Sequence, residues 1–427
     1  MSNPAEVTSE ADPIQKGAQT DVGQGFGSSV GRFLLSAFLQ GMVILGMRAV
    51  LFNLYLLRLG YGPEFVGLAN GTGWLLLGIL SLPSGWLGTR WGYGKTLAIG
   101  FGLEAAALVL LPLASLLSGG QRTTWLLVTT ILHYLGQCLY FVEGMPFLMS
   151  AASPRQRRRA FSAQVGLEPL AAFLGSLAAG LLPGIFASWL HLLPESPFPY
   201  GLPLLLAGIL LVPAAWVLRG CPSQAVATPA ERSSRGAAPV AVMFWIMASV
   251  ALRLAGRGTS LTFFNVYLDV GLGVPTSLIG VLAAAAQLAS VPAAALTPMA
   301  IAHLGPVRST TLGTLGIAAC ILLLALVPTW QAAGLGNLGA TALFALTTAS
   351  IRILSQEMVA PAWRGAMSGA MMSGAGLTYA AVAFGGGYAV RSLGYSALFL
   401  SGAALTTLGA LVFFLYFRVP RGELVKD

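Results

Sequence analysis

Residues 309–351 read STTLGTLGIAACILLLALVPTWQAAGLGNLGATALFALTTASI and contain no Asp, Glu, Lys or Arg. A helix that crosses a bilayer needs about 20 mainly apolar residues, so the stretch is too long for one crossing. Pro328, together with Gly334 and Gly336, predicts a hairpin in its middle. The stretch therefore predicts two adjacent membrane-spanning helices.

The whole chain has the same character. Of its 427 residues, 56% are hydrophobic and 9% are charged, and the mean hydropathy is +0.79. Soluble domains carry about 25% charged residues, so this composition excludes a soluble protein. Cys138, Cys221 and Cys320 are far apart, which indicates neither a disulfide framework nor a zinc site. The composition predicts an all-α integral membrane protein.

Apolar segments of membrane length recur along the chain, and we predict twelve transmembrane helices. Residues 1–32 are polar and predict a disordered tail, and residues 418–427 form a second tail. The predicted spans are 33–58, 65–88, 96–117, 124–150, 160–185, 201–218, 240–268, 277–302, 309–328, 334–358, 365–390 and 396–417.

The positive charges predict the orientation of the spans. With a cytoplasmic N-terminus, sixteen of the 23 Lys and Arg residues fall in cytoplasmic segments and three, Arg58, Arg122 and Arg391, fall outside. This asymmetry follows the positive-inside rule and predicts that both termini are cytoplasmic. The net charge of +9 thus reflects orientation. No basic stripe with interleaved aromatic residues is present, and we expect no nucleic-acid partner.

The chain divides into two similar halves. The polar linker 219–239 separates a bundle at 33–218 from a bundle at 240–417, with six predicted helices each. The segment FNLYL at 52–56 recurs as FNVYL at 264–268, and each copy precedes a turn with proline. Two repeated bundles with a substrate path between them are typical of a transporter.

The turn between the second and third spans carries a motif. Residues 85–95 read GWLGTRWGYGK, which resembles the Gly-x-Leu-Ala-Asp-Arg-x-Gly-Arg-Lys loop of the major facilitator superfamily. The resemblance covers about residues 33–418 and implies that family's fold of two pseudo-symmetric six-helix bundles. Thr89 stands at the family's acidic position, which implies a weakened gate latch.

A second motif of the family lies at 357–365, EMVAPAWRG. Its counterpart at 150–159 has Ser150 instead of an acid. The resemblance implies a cytoplasmic gate formed by Gly85, Arg90, Gly92, Lys95, Glu357 and Arg364. The run 175–180, GSLAAG, is a degenerate form of the family's antiporter signature and favours export.

Three carboxylates lie inside predicted spans, where an ionisable group indicates function. At a rise of about 1.5 Å per residue, Glu104 and Glu168 lie roughly 12 Å from the cytoplasmic face and Glu143 roughly 10 Å. At this shared depth they could face one cavity and carry a proton. The alternative is that they pair with arginines or the backbone and fix helix packing.

Four arginines and two asparagines complete the candidate set. Arg253 and Arg257 share a helix face because they are four residues apart, and an arginine can bind a carboxylate or phosphate bidentately. The candidate substrate-binding residues are Arg253, Arg257, Arg352, Asn53, Asn265 and Arg48. Ion pairing between helices is the alternative for the arginines. For the asparagines there are two alternatives, namely lining a gate near the outer mouth or hydrogen bonding at helix ends.

Other function classes lack their motifs. The chain has no H-E-x-x-H pair and no P-loop, so we expect neither enzyme activity, nor direct use of ATP, nor a cofactor. Our prediction is a monomeric secondary transporter in the inner (plasma) membrane. We expect it to export a small organic molecule that is amphipathic or apolar rather than a sugar, with Glu143 or Glu168 as the proton carrier. Uptake, uniport and a non-transporting sensor are the alternatives.

Overall fold

The computed structural model describes residues 26–153, 155–221, 240–359 and 363–419, and the regular structure in these residues is entirely helical. Most of each predicted tail and of the predicted linker lies outside the described residues, at 1–25, 222–239 and 420–427. The α-helices are α1 (Ser28–Gln40), α2 (Ala49–Arg58), α3 (Pro63–Trp91), α4 (Tyr93–Leu110), α5 (Gly119–Ala151), α6 (Arg157–Trp189), α7 (Phe198–Arg219), α8 (Val240–Val266), α9 (Thr276–Ala295), α10 (Thr297–Leu326), α11 (Trp330–Glu357) and α12 (Arg364–Phe417).

Three short helices extend these elements. The π-helix Gly41–Arg48 joins α1 to α2, the 3₁₀-helix Leu111–Leu116 extends α4, and the π-helix Tyr267–Gly271 extends α8. In the described part of the chain, ten helices are long and apolar enough to cross a membrane, or eleven if the two parts of α3, bent by 59° between Ser81 and Pro83, form one span. The structure therefore supports a polytopic membrane fold.

The last helix explains why this number is below twelve. As a straight rod, the 54 residues of α12 would be about 80 Å long at 1.5 Å per residue, against a hydrocarbon core of about 30 Å. Its backbone breaks at Gly394, where φ is 84°. A φ of this sign favours glycine. The count of twelve transmembrane helices stays a prediction, because it requires the two parts of α12 to cross the membrane separately.

Two predicted boundaries were wrong. The first helix begins at Ser28, so residues 28–32 are helical rather than part of a tail. The hairpin after Pro328 is also tighter than predicted. The hydroxyl of Thr329 accepts a hydrogen bond from the Ala332 backbone N–H (3.3 Å) and caps α11, which places Gly334 and Gly336 inside the helix. There, the absence of side chains permits close packing against Leu282 and Leu324.

The two halves repeat the same turns. Gly92 separates α3 from α4 with a φ of 89°, and Gly305 breaks α10 with a φ of 75°. Each glycine precedes a basic residue by three positions, Lys95 in the first half and Arg308 in the second. Because both glycines have a positive φ, the two halves share this turn conformation as well as the sequence repeat.

The halves contact each other through α3 with α12 and α6 with α9. A Cβ on Gly180 would lie 2.9 Å from the Gly280 Cα, and one on Gly376 would lie 2.6 Å from the Gly78 Cα. Backbones this close require glycine. We call the end of the bundle with Arg58 and Asp269 the outer end and the opposite end the inner end, as the charge distribution predicts.

Candidate functional site

The three candidate carboxylates differ in their hydrogen-bond partners, although Glu104 and Glu168 both interact with Tyr140. Glu104 on α4 is fully buried, accepts a hydrogen bond from Gln40 Nε2 (3.2 Å) and interacts electrostatically with Arg48. Glu143 on α5 is also buried, and its carboxylate lies against the backbone of Gly88. A Cβ atom on Gly88 would overlap this carboxylate. The Glu143 carboxylate can therefore lie here because the loop motif has glycine at this position.

Glu168 on α6 has the position closest to the other half. It accepts hydrogen bonds from the Tyr140 hydroxyl and from Gln164 Nε2 (3.0 Å). It also interacts electrostatically with Arg352 on α11. In the described part of the chain the two side chains do not come within 4.0 Å. Glu168 therefore accepts hydrogen bonds from two side chains of its own half and has an electrostatic partner in the other half that it does not contact.

Arg48 ends the π-helix in the N-terminal half and is buried among aromatic rings. Its guanidinium carbon lies 4.5 Å from the centre of the Phe52 ring and 5.3 Å from that of Tyr134, and Glu104 is its acidic neighbour. Beside it is a cavity of about 10 Å³, lined in part by Thr130 and His133. A cavity of that size holds one water molecule. Arg48 thus belongs to a polar cluster inside its own half, with Glu104 as its counter-charge.

Arg253 and Arg257 on α8 lie within the C-terminal half. Arg253 is buried, and its Nη1 donates to the Thr347 hydroxyl at 3.1 Å. Arg257 is half-buried, with its guanidinium carbon 5.5 Å from the centre of the Phe344 ring. Both interact electrostatically with the phenol of Tyr379. Their spacing does place them on one surface, as predicted.

Three aromatic side chains connect the two arginine sites across the interface. The Trp74 ring lies 5.6 Å from that of Tyr134 in its own half and 4.8 Å from that of Tyr379 in the other. Trp74 and Tyr379 lie near the middle of α3 and of the first part of α12. We call Tyr134, Trp74 and Tyr379 the aromatic row. It crosses the interface near these two midpoints.

Asn53 and Asn265 join the two halves by matching hydrogen bonds. Asn53 Nδ2 donates to the Thr262 carbonyl oxygen at 2.8 Å, and Asn265 Nδ2 donates to that of Ala49 at 2.9 Å. Asn53 Oδ1 accepts from Asn70 Nδ2 at 2.8 Å. Their amides are thus engaged with protein groups, which supports a structural role at the interface more than substrate binding.

Two ion pairs join the halves at the outer end, and the sequence analysis missed them. Arg58 binds Asp269 with two hydrogen bonds (2.7 and 2.6 Å), and Arg391 pairs with Glu64 at 3.0 Å. We call these two pairs the outer clasp. The sequence repeat does indicate the pair of Arg58 with Asp269. These two residues lie at the ends of corresponding helices, a few residues after the equivalent asparagines. The aromatic row was missed as well, because single aromatic residues in apolar spans are unremarkable in sequence.

The predicted gate residues lie at the inner end. Gly92 forms the positive-φ turn after α3. The guanidinium of Arg90 stacks on the Trp86 ring at 5.0 Å. Gly85 lies inside α3, and Lys95 lies in the first turn of α4. Glu357 ends α11 with an exposed side chain. Arg364 begins α12, but its side chain is not among the described ones. Their joint role as a gate stays a prediction.

Comparison with known proteins identifies the fold. The sequence model of the Major Facilitator Superfamily matches residues 33–372. A solved nucleoside transporter, NupG, has a TM-score of 0.66 at 14% identity, covering 91% of this chain and 100% of its own. A peptide transporter, POT, solved with alafosfalin, has 0.71 at 14%, covering 95% and 98%. A D-xylose-proton symporter has 0.69 at 16%, covering 92% and 98%.

At such identities these structures are evidence for the fold alone, and that fold is the predicted one. The match to the family model points to a non-enzymatic secondary transporter. A search of curated proteins finds no match to this sequence.

Proposed function

The chain belongs to the Major Facilitator Superfamily, and from this premise we propose that it exports a small organic molecule by alternating access, in exchange for protons. The observation that carries the proposal is the layout of polar groups between the halves. The outer clasp closes one end, the aromatic row lies at mid-depth, and Glu168 faces Arg352 toward the other end without contact.

The central site lies between Trp74 of the N-terminal half and the surface formed by Arg257, Phe344 and Tyr379. Trp74, Arg257 and Phe344 each keep part of their surface exposed, so a solute that reaches mid-depth can touch both halves at once. A ligand that contacts both halves stabilises the state in which they approach. This gives substrate binding a direct effect on opening and closing.

Glu168 is our choice for the proton carrier. Ionised, it attracts Arg352 and favours closure of the inner end; protonated, it loses that attraction and lets the inner end open. Around it are the Tyr140 hydroxyl, Gln164 and Arg352, and Glu104 interacts with the same tyrosine. Among the described residues Glu143 has no comparable partner in the opposite half, and we place it and Glu104 second.

The remaining parts of the proposal rest on the sequence. The basic residues at the inner end support a multi-pass protein of the inner (plasma) membrane with both termini in the cytoplasm. The degenerate helix signature at 175–180 supports export over uptake or uniport. We propose a monomer, whose partners are the substrate, protons and the lipid bilayer.

Flux in proteoliposomes tests transport itself. Purified protein is reconstituted and given solutes that are anionic, cationic or neutral, each with an imposed proton gradient of either sign. We expect at least one solute to move faster than in protein-free liposomes and its rate to change with the sign of the gradient. A solute flux that ignores the gradient identifies a uniporter. Binding without any flux, in correctly folded protein, identifies a sensor and contradicts the proposal.

A further inference from the structure

The C-terminal half contains buried positive charge that no carboxylate balances. Between residues 240 and 419 the only acidic residues are Asp269 and Glu357. Asp269 is sixteen positions from Arg253, about 24 Å along the helix, and is paired with Arg58. Glu357 lies at the exposed inner end of α11. Neither residue can neutralise the arginines at mid-depth.

The other two arginines inside the spans are balanced. Arg48 has Glu104 as its electrostatic partner, and Arg352 has Glu168. Arg253 and Arg257 instead interact with the uncharged phenol of Tyr379 and with no carboxylate. In the described part of the chain Arg253 Nε is also buried without a hydrogen-bond partner, as is Arg48 Nη2, so the missing acidic partner is what sets Arg253 and Arg257 apart. A buried charge without a counter-ion is unfavourable, so a ligand that supplies the counter-charge gains affinity there.

We propose that the substrate is an organic anion whose carboxylate or phosphate group binds between Arg253 and Arg257 and whose apolar body packs on Trp74, Phe344 and Tyr379. This inference rests on the proposed transport function and names its substrate class. Arginine suits the role because its planar donors match both oxyanions. Part of Arg257 is exposed, and Arg253, held by Thr347, lies one helical turn closer to the inner end.

The charge of such a substrate agrees with export. When the interior of a cell is electrically negative, an anion moves outward down the electrical gradient. Exchange for an entering proton adds to this driving force, since both movements carry positive charge inward. An anion exporter with this coupling can therefore work against a concentration gradient of its substrate.

The test uses three ring compounds that differ in charge, namely benzoate, benzylammonium and benzyl alcohol, with phenyl phosphate as a second anion. Thermal unfolding of the purified full-length protein is followed at constant ionic strength. We expect benzoate or phenyl phosphate to raise the Tm and the cation and alcohol to have little effect. The two anions also distinguish a carboxylate site from a phosphate site.

Three variants locate the effect. Arg253→Gln and Arg257→Gln should bind the stabilising anion about 10- to 100-fold more weakly, as expected for loss of a charged hydrogen bond. Without ligand, their Tm should be no lower than that of the wild type, because an unbalanced charge has been removed. Arg308→Gln, at an exposed inner-end arginine, should resemble the wild type. If the glutamine variants fold poorly, Arg257→Lys keeps the charge and should bind at an intermediate level.

The inference is overturned if the anions shift the Tm no more than the cation and the alcohol do, or if they stabilise Arg253→Gln and Arg257→Gln as much as the wild type. Its failure is separable from failure of the proposed transport. A neutral or cationic solute carried at wild-type rates by Arg257→Gln refutes the anion site alone, whereas absence of all flux refutes transport.

Discussion

Replacing Glu168 with glutamine is expected to abolish substrate-linked proton movement while the protein stays folded. The amide oxygen can still accept the hydrogen bonds of Tyr140 and Gln164, but the side chain can no longer release a proton or attract Arg352. In liposomes that contain a pH-sensitive dye, we expect the proton signal that follows substrate addition to fall to that of protein-free liposomes. Substrate exchange without a gradient should persist.

Matched variants make this result specific. Glu195→Gln changes an exposed carboxylate between α6 and α7 and should behave as the wild type. Glu104→Gln and Glu143→Gln should retain a proton signal. Loss of the signal in Glu143→Gln, with normal coupling in Glu168→Gln, would transfer the proton site to Glu143 and refute the proposed attraction between Glu168 and Arg352.

Reversing the charge of Arg58 is expected to have the second large effect. Arg58→Glu removes two hydrogen bonds and places a carboxylate against Asp269, whose side chain is only 9% exposed. Loss of one partner of a buried charge pair costs about 2–5 kcal/mol, enough to change a conformational ratio by more than tenfold. The outer end should open, and transport should fall by at least about tenfold.

Exchange of the two charges is the control for this effect. The double variant Arg58→Asp with Asp269→Arg restores opposite charges and should recover much of the transport. Reaction of a cysteine placed at Val274, which is buried at the outer end, should be fast in Arg58→Glu and slow in the double variant. Equal reaction rates in the wild type and Arg58→Glu would show that this pair does not hold the outer end closed.

The sequence predicted the class of fold because composition and repeats are properties of the chain itself. The long uncharged stretch, the repeated FNLYL segment and the turn at Gly92 identified membrane helices, two halves and the family. The partners of the buried charges could not be predicted in this way. Glu104 and Glu168 lie at similar depth, yet the rotation of their helices directs one toward Arg48 and the other toward Arg352.

Contacts between the halves were the hardest part to predict. Asn53 and Asn265 were recognised as equivalent, but their bonds to Thr262 and Ala49 depend on how closely α2 and α8 approach. Trp74 and Tyr379 are separated by about three hundred positions in sequence and meet only because α3 crosses α12. Such pairs require the arrangement of helices as well as their identity.

Distances across the two ends of the bundle test alternating access most directly. Spin labels are placed at exposed sites in opposite halves, Gln121 with Gln331 at the outer end and Ser153 with His303 at the inner end, after replacement of the three native cysteines. Raising the pH ionises Glu168, so we expect the inner distance to shorten, the outer distance to lengthen, and both changes to vanish in Glu168→Gln. Distances that stay fixed, or that lengthen together, would contradict the account.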